Sequence, residues 1–73
     1  MVMVSYEKLR VMMVKRRLEW KDIRIIFEFA PRTITKLKED QPVRMDTILQ
    51  LCDYFECDIS DIMEVRHINE PKL

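Results

Sequence analysis

The sequence predicts an all-α fold of five short helices, with a short β-ribbon available where its two ends can pair. Three observations predict it. Apolar residues recur three and four apart through most of the chain, the spacing of a single helix face. Residues that cap, start or interrupt helices, among them Ser5, Pro31, Pro42 and Asp58, separate those runs. And 73 residues make one small domain, whose core needs efficient helix packing.

Met1-Val-Met-Val4 alternates weakly and is rich in β-formers, so it reads as a frayed tail or a short strand. Ser5 is a good N-cap for a first helix from Tyr6 to about Arg17. Tyr6, Leu9, Met12 and Met13 form its apolar stripe, and Val11 and Val14 fall off it. Lys15-Arg-Arg17 occupies the last turn, where cations suit the negative end of the helix dipole. That explanation is at least as good as contact with a polyanion. Leu18 reads as a core residue in a short connection. Trp20 to Phe27 is the second helix, with Ile23, Ile26 and Phe27 inward. Glu28-Phe-Ala30 then leaves about three residues before the next helix, the spacing of a helix-turn-helix.

The third helix, Ala30–Glu39, has a defined start, because proline is tolerated at the first helical position, where its missing N–H costs nothing. Ile34 and Leu37 share its inner face. Glu39-Asp-Gln-Pro42 is a polar, solvated loop. A fourth helix runs from about Met45 to Phe55, with Ile48, Leu49, Leu51, Cys52 and Phe55 as its apolar set. Asp58 caps a last helix, Ile59–Met63, with Asp61 near the positive dipole end and Ile59 and Ile62 closing the core. The rest is a polar tail whose apolar residues are Val65, Ile68 and Leu73. Met63–Ile68 can pair with Met1–Val4 as an antiparallel ribbon. The core thus covers about residues 5–64, the helix-turn-helix about 20–38 and the tail 65–73, all in a single domain.

Composition narrows the function. With 48% hydrophobic and 36% charged residues, the chain is globular rather than disordered. It has no 18-residue apolar run to span a membrane and no cleavable leader pattern, so a cytoplasmic protein is expected. The absence of glycine excludes glycine-rich phosphate loops and dinucleotide fingerprints. Cys52 and Cys57 are expected as buried free thiols; zinc would need about four ligands, with only His67 to join them short of carboxylates. His67 is isolated and expected in solvent, and no catalytic constellation is visible. Neither enzyme activity, nor a metal, nor a cofactor or small-molecule ligand is expected. The formal net charge of zero conceals a strong asymmetry. Residues 1–38 hold ten Lys/Arg against four Asp/Glu, and residues 39–73 three against nine. A basic half suits a polyanionic partner, and an acidic half limits indiscriminate binding. On the third helix, Arg32, Thr33, Thr35, Lys36 and Lys38 present cations and hydroxyls with no carboxylate among them, a face that a phosphate-flanked groove accepts.

Two segments carry a resemblance. Thr33-Ile-Thr-Lys-Leu37 looks like the "S-T-I-x-K-L" recognition-helix segment of the Cro/repressor-type (XRE-like) helix-turn-helix regulators. Met45 to Met63 is similar to that family's closing pattern "L-x-x-L-x-x-I-C-x-x-L-x-C-x-I-x-D-I". The likeness covers roughly residues 5–64, and small single-domain members look closest. There are departures. Glu28 stands where the family usually has a turn glycine, a position that often takes φ > 0 and then costs another residue about 1 kcal/mol. Ala30 and Arg44 stand where Ser or Thr caps are usual, and Trp20 and Lys21 where Gln or Thr often begins the second helix.

The resemblance implies a sequence-specific, double-stranded DNA-binding transcriptional regulator, a repressor by family habit, with the third helix in the major groove. Pro31, Arg32 and Lys36 would face base edges, Arg32 as the candidate bidentate partner of guanine. Thr33, Thr35 and Lys38 would flank them, and Trp20, Lys21 and Arg44 would touch backbone. A homodimer reading half-sites about 34 Å apart is expected, joined through Val11 and Val14, through the fifth helix with the tail, or, the favoured choice, through the terminal segments. The alternative is a helix-turn-helix fold used as a protein-interaction or antitoxin-like module with weak or no DNA binding, which Glu28, Ala30 and the zero net charge favour.

Overall fold

The computed structural model describes residues 1–68. It holds four α-helices: α1 (Glu7–Lys15), α2 (Trp20–Phe27), α3 (Pro31–Lys38) and α4 (Met45–Phe55). Two strands, β1 (Val2–Ser5) and β2 (Glu64–His67), pair antiparallel with Val4 opposite Val65 and Ser5 opposite Glu64. The fold is therefore mostly helical rather than all-α, because the end segments do form the ribbon and residues 65–67 of the expected tail belong to it. Leu73 and the last residues of that tail lie outside the described residues.

The expected fifth helix is a single 3-10 turn, Ile59–Asp61. Asp58 caps it as expected: its Oδ1 accepts from the Ile59 N–H at 2.8 Å, and Asp61 Oδ2 accepts from the Asp58 N–H at 3.0 Å. The turn stops there because the chain is needed elsewhere. The Ile62 carbonyl accepts from the Leu9 N–H at 3.1 Å, which satisfies a donor that the first turn of α1 leaves unpaired. Its side chain is wholly buried, and two residues later β2 begins.

Residues from every helix build one core: Tyr6, Leu9, Met13, Ile23, Phe29, Ile34, Leu37, Ile48, Leu51, Phe55 and Ile62. Each fully buried leucine or isoleucine among them contributes about 1.5–3 kcal/mol. Three expected core residues sit at its wet margin instead: Ile26 is 40% exposed, Leu49 54% and Ile59 36%. On α2 the face centred on Ile23 and Phe27 is covered, and Ile26 lies at its edge. Leu18, Phe27, Cys52 and Cys57 are half-buried against the core. Phe29, assigned to the turn, is the opposite case. It is buried and stacks on Phe27 with ring centroids 4.9 Å apart, and Phe27 meets Tyr54 edge-on at 5.1 Å.

Ser5 is not the N-cap of α1; it closes β1, is buried, and its Oγ accepts from the Glu7 N–H at 3.3 Å. Of the Lys15-Arg-Arg17 cluster, Arg16 turns to α4. Its guanidinium lies over the Phe55 ring and donates to the Phe55 carbonyl at 3.3 Å, one of the acceptors a helix end leaves open.

Every α-helix is followed within two residues by one in the left-handed region: Arg17, Glu28, Asp40 and Glu56, with φ between 52° and 56°. Glycine usually fills such positions, and this chain has none. Each substitute carries roughly 1–2 kcal/mol of backbone strain. At Asp40 hydrogen bonds offset it. The loop carboxylate expected in solvent accepts from the Tyr6 N–H at 2.9 Å and from both terminal nitrogens of Arg10 at 2.9 and 3.4 Å. The Tyr6 hydroxyl donates to the Gln41 carbonyl at 2.8 Å. The Arg10 guanidinium, then the Tyr6 amide, holds the Asp40 carboxyl below the usual range. These bonds tie the end of α3 to the start of α1.

Candidate nucleic-acid interface

The α2–turn–α3 unit is positioned from both ends. Glu19 starts α2 through a reciprocal pair with Asp22: the Glu19 carboxylate accepts from the Asp22 amide, and Asp22 Oδ2 accepts from the Glu19 N–H at 2.8 Å. Glu28, at φ 55° and ψ 35°, reverses the chain, as its place in the turn led one to expect. Phe29 then anchors the turn in the core. Ala30 has extended backbone and no side-chain cap, so its carbonyl alone accepts from the Thr33 and Ile34 amides, at 2.9 and 3.2 Å. Pro31 supplies the first helical residue.

Buried Ile34 and Leu37 fix which way α3 faces. At about 100° per residue, Arg32 lies opposite them, and Lys36 follows one turn later on the same side. Pro31, Arg32, Thr35 and Lys38 are exposed; Thr33 and Lys36 are half-buried. Beside this face, between α2 and α3, runs a groove of about 330 Å³. Trp20, Lys21 and Arg24 line it from α2; Pro31, Ile34, Thr35 and Lys38 line it from α3.

The groove gathers five of the nine residues singled out from sequence: Trp20, Lys21, Pro31, Thr35 and Lys38. Arg32, Thr33 and Lys36 lie outside its lining. So does Arg44, whose side chain is 87% exposed at the start of α4 and pairs with Asp46 at 3.5 Å. Arg24 was missed, although its place one turn beyond Trp20 and Lys21 on the same helix pointed to it.

Electrostatically the unit is basic and open. Lys21 pairs with Glu19 at 3.1 Å, but both side chains are more than 70% exposed, so the pair is worth at most about 1 kcal/mol. Arg24, Arg32, Lys36 and Lys38 form no salt bridge among the described residues. A separate hollow is acidic, lined by Asp53, Glu56, Asp58 and Asp61 together with Cys52 and Cys57. Both cysteines are free, and burial pushes their thiols up. Among the described residues no group of three or more His, Cys, Asp or Glu could hold a metal ion, and no helix is long and apolar enough to cross a membrane.

Comparison with known proteins places this arrangement. The chain is similar to a crystal structure of the transcriptional regulator VanUg, with a TM-score of 0.85 and 29% identity over 89% of this chain and 87% of that one. No curated protein matches it. The family model for the Cro/C1-type helix-turn-helix DNA-binding domain matches residues 8–66, from the first turn of α1 into β2. The chain belongs to the family of Cro/C1-type helix-turn-helix DNA-binding domains.

Proposed function

We propose that this protein is a sequence-specific transcriptional regulator, a repressor, that binds double-stranded DNA as a cytoplasmic homodimer with α3 in the major groove. One observation carries the reading. The second helix of the helix-turn-helix is locked inward by Ile34 and Leu37, which leaves Arg32 and Lys36 outward with no carboxylate anywhere on the helix. Arg32 near the start of α3 suits bidentate pairing with guanine O6 and N7. Lys36, Thr33 and Arg44 add contacts to bases or phosphates at its flanks. The acidic hollow of α4 and the 3-10 turn disfavours approach of DNA from that side, so charge orients the encounter.

The test is binding to mixed-sequence duplex at several salt concentrations. Log K is expected to fall steeply with log salt, by about 0.9 for each phosphate neutralised. A weak, flat response sinks the reading and leaves the interaction-module alternative, which Glu28 beside the basic face and the uncapped Ala30 favour. Within the DNA reading, Arg32→Ala should relax base preference, by about 1–3 kcal/mol at one position.

A further inference from the structure

We propose that the groove between α2 and α3 is a clamp for one backbone phosphodiester of the bound duplex, with Arg24 as its main anchor. The proposal rests on the DNA-binding reading and adds a site to it. Three cations from two helices surround the groove, Lys21 and Arg24 from α2 and Lys38 from α3, and no carboxylate lines it. The neutral groups lining it suit the same ligand. Thr35 offers a hydroxyl, and Trp20 an indole N–H that can only donate. Trp20 and Ile34 supply apolar surface for the sugar beside the phosphate. A volume of about 330 Å³ leaves space for that phosphate and sugar.

Arg24 is singled out by chemistry. Its planar fork can donate two parallel hydrogen bonds to one phosphate, where a lysine acts as a point charge. It also forms no salt bridge among the described residues, unlike Lys21. Because the groove lies beside the Arg32 and Lys36 face, a phosphate held there would fix the register of α3 without reading sequence. Pro31, expected at base edges, becomes a wall of the clamp.

The experiment measures affinity for the selected operator and for mixed duplex across a salt series, with wild type, Arg24→Ala, Arg24→Gln and Arg24→Lys. Both neutral variants should bind every duplex about fivefold more weakly at 0.15 M salt and lower the salt slope by about one; Arg24→Lys should fall between. A scan of single methylphosphonate substitutions should find one phosphate whose neutralisation weakens wild type and leaves Arg24→Ala unchanged. Unchanged far-ultraviolet circular dichroism checks the fold of each variant. If wild type shows a steep salt slope while the neutral variants match it, the clamp is wrong and DNA binding stands. If wild type shows no salt-dependent binding, both fall. If no single methylphosphonate substitution separates wild type from Arg24→Ala, the groove holds no particular backbone phosphate and the proposal fails.

Discussion

Replacing Glu28 with glycine should stabilise the protein. Glu28 sits at φ 55°, ψ 35° between the two helices of the motif. In that region its Cβ crowds the following carbonyl, at a cost of about 1–2 kcal/mol that glycine does not bear. Against this stands the greater freedom of glycine in the unfolded chain, about 0.5–1 kcal/mol. The Glu28 side chain is exposed and forms no salt bridge among the described residues, so little else is lost. The net gain is about 0.5–1 kcal/mol. For a domain of 60–100 residues 1 kcal/mol moves Tm by about 4–8 °C, so Glu28→Gly should melt about 2–8 °C higher by circular dichroism. Two companions isolate the cause. Glu28→Asn should gain part of the increment, since asparagine tolerates this conformation, and Glu28→Ala should gain none. An order of stability other than Gly above Asn above Ala, or a glycine variant no more stable than wild type, refutes the strain argument. Glu28→Gly should also tighten DNA binding in low salt, because a carboxylate leaves the neighbourhood of the basic face, and that gain should fade as salt rises.

Other perturbations test the supports of the same unit. Asp40 is a carboxylate whose folded pKa lies below its ordinary value because Arg10 and the Tyr6 amide favour its charged form. Its stabilising contribution is therefore complete above about pH 4 and is lost as pH falls through the lowered value. Asp40→Asn should lower stability at pH 7 and flatten the loss as pH falls below about 4, measured as urea unfolding at each pH. Phe29→Ala removes a buried ring from the turn and should cost about 3 kcal/mol, seen as a lower urea midpoint with little change in m.

Much of this could be read from residue spacing, because α2, α3 and α4 bury faces that their apolar periods mark out and Pro31 announces a helix start. The terminal ribbon was also legible in two β-prone ends. What escaped depended on partners distant in sequence. Asp40 looks like any loop acid until Tyr6 and Arg10, more than 29 positions away, converge on it. The last helix was over-read because nothing local reveals that Leu9 claims the Ile62 carbonyl. Ile26 and Leu49 were assigned inward because period alone cannot say how wide a face its neighbours cover. In the candidate site, Arg32 and Lys36 were legible from their spacing against Ile34 and Leu37. Arg24 stood one turn beyond Trp20 and Lys21 on the same helix, but which cations share a groove with it depends on a second helix bringing Lys38 across.

The ribbon has a consequence for the lifetime of the folded state. It joins the two most sequence-distant segments of the described chain, a wider span than the bonds from Arg16 to Phe55 and from Leu9 to Ile62 close. Closing so long a loop is entropically the most demanding step, although the cost grows only with the logarithm of its length. Pairing of β1 with β2 then belongs late in folding, after the helical core has condensed. Substitutions there, such as Val4→Thr or Val65→Thr, should speed unfolding and leave the folding rate nearly unchanged. The ribbon acts as a latch on residence in the native state rather than as part of its nucleus.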